Sequence, residues 1–270
     1  MENETDIPEE EHRMTFLEHL AELRTRLIRA MLAVALVCIP CLYYSETIFE
    51  FLARPIAKVL PTGSSMVYIG LPDPFFTYIK VALITALFIT IPYVLFQLWL
   101  FIRPGLYQHE RRLAGPFVIV TTLLFYSGAA FAFFLVFPAA FKFFVSFQSD
   151  LLKPMISIKE YVALVMSLML AFGVVFETPI VVVLLGLLGL IQVSTLKKGR
   201  RYFVLIAFII GAILTPTPDV VNQSLMAVPM IILYEFGIWA LVLLKRMRKK
   251  NESETYTDEE HEKTERAPSA

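Results

Sequence analysis

Long charge-free apolar runs alternate with short polar stretches through most of the chain. A helix that crosses a bilayer needs about 20 mainly apolar residues. Six runs meet or approach that length: 30–45, 81–102, 113–141, 161–192, 202–213 and 220–244. The first extends inward through Leu27 and Ile28, because Arg29 can carry its charge to the interface on an apolar stem. The fourth is interrupted only by Glu177 and the sixth only by Glu235. The fifth stops at Thr215-Pro216-Thr217-Pro218 and is short for a full span. Between the first two runs, Ile48, Phe49, Phe51, Leu52 and Ile56 recur at near-helical spacing among Glu50, Arg54 and Lys58. This predicts a short amphipathic helix lying on the outer membrane face, followed by a turn at Pro61-Thr62-Gly63. The pattern predicts an all-α protein with six transmembrane helices. Pro92, Pro138, Pro179 and Pro229 fall inside four of the spans, which suits a bent, concave wall better than a straight bundle.

The charges sharpen this picture. Hydrophobic residues make up 57% of the chain and charged residues 18%, against roughly 25% charge in a soluble domain. Of the 48 charged residues, twelve lie in 1–29 and fourteen in 245–270, so only 22 serve the 215 residues between. That excludes a soluble enzyme, a disordered chain and a disulfide scaffold. The balanced net charge gives no reason to expect a nucleic-acid partner. The acidic start (Glu2, Glu4, Asp6, Glu9, Glu10, Glu11) lacks the basic region of a secretory signal. With both ends inside, the inner segments hold Arg13, Arg24, Arg26, Arg29, Arg103, Arg111, Arg112, Lys197, Lys198, Arg200, Arg201, Lys245, Arg246, Arg248, Lys249 and Lys250. The outer ones hold Arg54, Lys58, Lys80, Lys142, Lys153 and Lys159. Sixteen against six places both termini in the cytoplasm. The expected organisation is a polar cytoplasmic N-terminus over 1–13, a membrane domain over 14–244, and a charged, disordered tail over 245–270.

Several residues could carry chemistry. In the run from His19 to Leu27, Phe16, Leu20, Leu23 and Leu27 share one helical face, and Glu18, Glu22, Arg26 and Arg29 the other. By spacing alone this reads as an interfacial anchor with Glu22–Arg26 as an i,i+4 pair, or as a binding segment. Tyr107-Gln108-His109-Glu110-Arg111-Arg112 occupies the inner loop between spans two and three; no His stands at 113, so a zincin motif is not formed. Glu177 lies at membrane depth beside Pro179, and a carboxylate there is costly and a functional candidate. Glu235 sits nearer the cytoplasmic end. Cys38 and Cys41 have C-x-x-C spacing inside an apolar span, where cysteine acts as a small hydrophobe. None of the four histidines and none of the five aspartates falls within a span, so neither a buried Ser–His dyad nor an aspartyl pair can be assembled in the bilayer. Neither a cofactor nor a metal is expected. No internal repeat appears, which separates the chain from many secondary transporters, although a proton-coupled solute transporter using Glu177 is the competing class.

The chain resembles the TatC family, the receptor subunits of the twin-arginine protein translocase, over roughly residues 14–244. The motifs that carry the resemblance start with Phe16-Leu17-Glu18-His19-Leu20-Ala21-Glu22-Leu23-Arg24-Thr25-Arg26, Arg54-Pro55, Gln97-Leu98-Trp99 and Pro104-Gly105-Leu106 running on to Arg112. They continue with 171–179 around Glu177, Thr215-Pro216-Thr217-Pro218-Asp219, Gln223 and Tyr234-Glu235. The resemblance implies a concave, glove-like scaffold in the bacterial cytoplasmic (inner) membrane that binds Arg-Arg signal peptides of folded cargo. It implies export driven by the proton-motive force, together with TatA- and TatB-like single-span proteins and self-association. Under it, Glu22 and Glu110 hold the arginines, with Leu23, Arg24, Arg26, His109 and Arg111 around them. Glu177, Glu235 and Gln97 become intramembrane polar groups. Pro55, Asp219 and Gln223 become outer-loop structural residues. A partner helix is expected along span five, at Leu205 and Phe208.

Overall fold

The computed structural model describes residues 16–57, 66–103, 114–147, 155–214 and 220–265. His109, Glu110, Arg111, Asp219 and the turn at Pro61 lie outside these. The described residues form helices joined by short connections, with one isolated parallel bridge between Val67 and Ser157.

The helices are α1 (Phe16–Tyr43), α2 (Ser45–Ala57), α3 (Asp73–Ile102), α4 (Ala114–Phe131), α5 (Phe137–Val145), α6 (Ile158–Phe176), α7 (Thr178–Leu187), α8 (Val193–Leu214) and α9 (Val220–Glu265). Five helical stretches are long and apolar enough to cross a membrane: 17–43, 73–102, 115–145, 158–187 and 223–247. The sixth span is α8, whose first turns carry Lys197, Lys198, Arg200 and Arg201 and leave a short apolar part. The wall is built by sequential packing. α1 lies against α3, α3 against α4 and α6, α4 against α6, and α9 against both α7 and α8.

The intramembrane prolines act differently from one another. Pro92 and Pro229 are carried inside continuous helices. Pro138 follows a π-turn over Ala132–Val136, in which the Phe137 amide reaches back to the Ala132 carbonyl. Pro179 follows a true break. Glu177 ends α6 and caps α7, its carbonyl accepting from the Ile180 and Val181 amides. Proline removes one ladder donor and crowds the preceding turn, and the wider turn or the break absorbs that.

Two close helix crossings depend on glycine. A Cβ on Gly173 would meet the Phe125 ring at 2.7 Å, and one on Gly237 would meet the Pro179 Cα at 2.8 Å. Small residues let membrane helices approach without polar cost. At the inner end of α7, Gly189 turns the chain with φ +73, a left-handed conformation that suits glycine.

The amphipathic segment before α3 is a helix, α2, but protein and not the membrane surface covers its apolar face. Leu52 and Ile56 are buried in the main core with Val81, Phe137, Tyr161 and Val162. The Tyr161 hydroxyl donates to the Leu52 carbonyl at 2.6 Å. Pro55 falls in the last turn of α2, beside Arg54, whose guanidinium lies over the Phe51 ring. On the same side, Val67 pairs with the entry to α6: its amide donates to the Ile156 carbonyl and its carbonyl accepts from the Ile158 amide, each at 2.9 Å. Asp73 adds to this outer clasp, accepting from the Gly70 amide at 2.8 Å and facing Lys159 at 3.7 Å.

At the other end, composition predicts a disordered tail, whereas α9 continues to Glu265. Neither Gly nor Pro occurs from 238 to 265, so nothing in the backbone stops the helix.

Candidate functional site at the inner ends of α1 and α3

The polar site begins with the orientation of α1. In the first half of this helix, up to residue 30, the less exposed positions are His19, Glu22, Arg26 and Ala30, spaced three or four apart. They form the face turned toward α3. Leu20, Leu23 and Leu27 point outward, 44%, 39% and 57% exposed. This inverts the arrangement of a soluble amphipathic helix, because lipid takes the apolar face and the protein takes the polar one.

That polar face meets α3 running the other way. His19 stacks on Phe101 with ring centroids 4.2 Å apart. Two turns further along α1, Arg26 bridges two partners. Its Nη2 pairs with Glu22 Oε1 at 3.0 Å, and its Nη1 donates to Gln97 Oε1 at 3.3 Å. Gln97 is buried, so its carbonyl oxygen gains a partner it would otherwise lack. Trp99, also buried, packs at a tilt against Phe117 of α4 and anchors this end of α3. The second carboxylate oxygen, Glu22 Oε2, is buried without a hydrogen-bond partner among the described residues. An orphaned buried acceptor costs about 1–3 kcal/mol, more when charged. Glu22 is therefore held by one oxygen, while the other has hydrogen-bonding capacity that no described residue uses.

Arg24 lies elsewhere. Two residues turn a helix by about 200°, which carries its exposed side chain away from Glu22 and α3. Of the residues expected at the site, Glu22 and Arg26 come together, Leu23 faces outward, and Arg24 does not join them; Gln97, which the resemblance places among the intramembrane polar groups, is drawn in through Arg26. Gln97 as the link to Arg26 is not visible in sequence spacing, since the two are 71 positions apart.

The other expected polar residues form separate stations. Glu177 occupies the break between α6 and α7 and has its Oε1 buried without a hydrogen-bond partner. Glu235 on α9 is paired with Arg200 of α8 through both oxygens, at 2.7 and 2.8 Å. Beside it Tyr234 stacks on Phe203 at 4.0 Å and donates to the Leu196 carbonyl at 2.9 Å. Gln223 donates to the Phe208 carbonyl at 2.9 Å, tying the outer ends of α8 and α9. On α8, Leu205 is 59% exposed, whereas Phe208 is partly packed with Ala207, Ala227 and Met230. Among the described residues no group of three His, Cys, Asp or Glu side chains could hold a metal ion.

Fold and site together define a multi-pass membrane protein with a carboxylate poised at its cytoplasmic face. The family described as Sec-independent protein translocase protein (TatC) matches residues 18–229. The TatC of Haemophilus influenzae is 43% identical over 248 residues, covering 92% of this chain and 96% of that one. The TatC of Escherichia coli K12 is 39% identical over 249 residues, with the same coverage. A longer relative from Halothiobacillus neapolitanus is 46% identical over 87% of this chain and 64% of its own length. A crystal structure of the twin-arginine translocase receptor TatC is 41% identical and superposes with a TM-score of 0.73, over 84% of this chain and 99% of the other. The chain belongs to the TatC family.

Proposed function

We propose that the inner site receives the arginine pair of a twin-arginine signal peptide, Glu22 taking one guanidinium and Glu110 the other. The chain itself is a TatC-family component of Sec-independent protein translocation in the inner membrane. The observation that carries the site assignment is the half-satisfied carboxylate of Glu22, one oxygen held by Arg26 and the other buried and open. A guanidinium can donate one N–H to that oxygen and keep its other donors for neighbouring acceptors, which a compact ammonium does less well. Glu110, in the inner loop that follows α3, is the second acid in this reading. Arg26 and Gln97 orient the first. Arg24 has no part in it.

Around this core, the finer reading is that the peptide's apolar segment follows the wall into the bilayer. TatA- and TatB-like single-span proteins join the complex, and transport draws on the proton-motive force. The exposed Leu205 on the short α8 favours that helix as a docking line, since a span shorter than the bilayer gains from a covering neighbour. Glu177 is assigned to transport and not to first recognition. Crosslinking tests the central claim. A photoreactive Arg-Arg signal peptide should capture the purified protein through α1 or the 104–113 loop, and a Lys-Lys version should do so far less. Equal capture of both peptides would overturn the assignment.

A further inference from the structure

The face of α1 that carries Arg24 has a site of its own. An open depression of about 400 Å³ lies on it, lined among the described residues by Ala21, Arg24, Thr25, Ile28 and Arg29. At about 100° per residue, Ala21, Thr25 and Ile28 run up the middle of this face, with Arg24 and Arg29 on its two flanks. Neither arginine has an acidic partner among the described residues. The Thr25 hydroxyl is already used, donating to the Ala21 carbonyl at 2.9 Å. The free donors of the depression are thus two guanidinium groups.

Above them the same face turns wholly apolar. Leu32, Leu36 and Ile39 are 64%, 69% and 67% exposed and continue the line from Ile28. At 1.5 Å per residue, Ile28 to Ile39 spans about 16 Å, close to the roughly 15 Å of one leaflet's hydrocarbon. The two arginines lie at the cytoplasmic end of the span, at headgroup level.

We infer that this face of α1 binds an anionic phospholipid of the cytoplasmic leaflet. Arg24 and Arg29 straddle the phosphate, and an acyl chain lies along Ile28, Leu32 and Leu36. Charge complementarity commits the occupant. A zwitterionic headgroup would set its own cation beside two arginines, whereas an anionic one adds net attraction for each. A partner helix would cover the apolar line but leave both guanidinium groups without a counter-charge. The inference does not depend on the signal-peptide reading: Arg24 and the apolar line stand off the side that meets α3, and Arg29, two turns beyond Glu22 on the flank toward it, pairs with neither Glu22 nor Gln97 among the described residues.

Native mass spectrometry of the purified full chain, in micelles doped equally with phosphatidylglycerol and phosphatidylcholine, tests it. The parent should retain phosphatidylglycerol about tenfold or more over phosphatidylcholine, from two arginines near the surface. The double variant Arg24→Gln/Arg29→Gln should lose that preference, and Arg24→Lys/Arg29→Lys should keep most of it. Lys197→Gln/Lys198→Gln removes as much charge from exposed positions on the same membrane side and should leave the preference intact. An equal loss in that control would show general surface attraction and overturn a defined site. So would an unchanged preference in the arginine-to-glutamine variant. Added inorganic phosphate should not displace the lipid; full displacement would mean that the acyl line contributes nothing and the lipid assignment is wrong.

Discussion

Two carboxylate–arginine pairs stand near the cytoplasmic face, and they have opposite character. Glu235 spends both oxygens on one Arg200 guanidinium, a bidentate pair on half-exposed side chains. Glu22 spends one oxygen on Arg26, and Arg26 divides itself between Glu22 and a buried Gln97. The first pair is complete and fastens α8 to α9. The second leaves one oxygen without a partner among the described residues, its members sit one turn apart on a single helix, and only Arg26 reaches on to α3. The same two residue types thus make a saturated brace between α8 and α9 and a half-satisfied pair within α1. What separates them is how many donors the neighbours supply.

Breaking the half-satisfied pair should have the largest effect. Glu22→Ala removes the acceptor and leaves Arg26 with Gln97 alone, so the affinity for an Arg-Arg signal peptide should fall by about 2–3 kcal/mol, roughly 30- to 150-fold. Glu235→Ala should leave that affinity unchanged in the same fluorescence titration. If the two variants behave alike, the contrast between the pairs has no functional meaning. Gln97→Leu keeps both charges but frees Arg26 to turn and engage both oxygens of Glu22. It should weaken peptide binding by about tenfold, near the worth of one charge-assisted hydrogen bond. Glutamate at 97 should be worse than leucine, because it competes with Glu22 for Arg26.

Glu177 extends the comparison to a third carboxylate, which also has an unpartnered oxygen but lies at a helix break within the span. Glu177→Ala should slow cargo transport severalfold in inverted vesicles while peptide affinity stays within about twofold of the parent. Retained transport in Glu177→Gln would assign it a hydrogen-bonding role; loss in that variant would require an ionisable group. Normal transport in the alanine variant would reduce Glu177 to a tolerated polar residue. The smallest effect belongs to the brace. Glu235→Gln should lower stability by about 1 kcal/mol or less, as expected of an exposed pair, read as a small drop in the thermal midpoint in detergent.

How far these features can be read from sequence depends on what surrounds them. The spans are legible because charge-free length is a direct demand of the bilayer, and the inward orientation because lysine and arginine are counted, not located. The facing of each span is not. In a soluble helix the apolar side marks the core, but lipid and protein core are both apolar, so α3 reads as hydrophobic all round while only Val81, Ala82, Ala86, Ile91, Trp99 and a few polar residues are buried. The same ambiguity hid the fate of α2. Leu52 and Ile56 satisfy a membrane surface and a protein core equally well on spacing, and only the three-dimensional neighbours decide. Pro138 and Pro179 mark where a helix could yield but not how, one giving a π-turn and the other a break. At the site, Glu22 was conspicuous as an acid beside a span, whereas its supports are long-range. Nothing local ties Gln97 to Arg26, or Asp73 to Lys159.

The outer clasp also has a meaning in time. The Leu52 carbonyl waits for the hydroxyl of Tyr161, 109 residues later in the chain. Val67 waits likewise for the backbone of residues 156–158. At a synthesis rate of about 5–20 residues per second, α2 emerges roughly 5–20 s before the segment that buries it. During that interval its apolar face has only the neighbours already made, such as Tyr78 and Val81 of α3, and the part that Tyr161 and Val162 will cover is left to the membrane surface. The helix that ends packed against α3 and α6 is thus completed last on its α6 side. A nascent chain halted between spans two and four should expose α2 to reagents that the finished protein excludes.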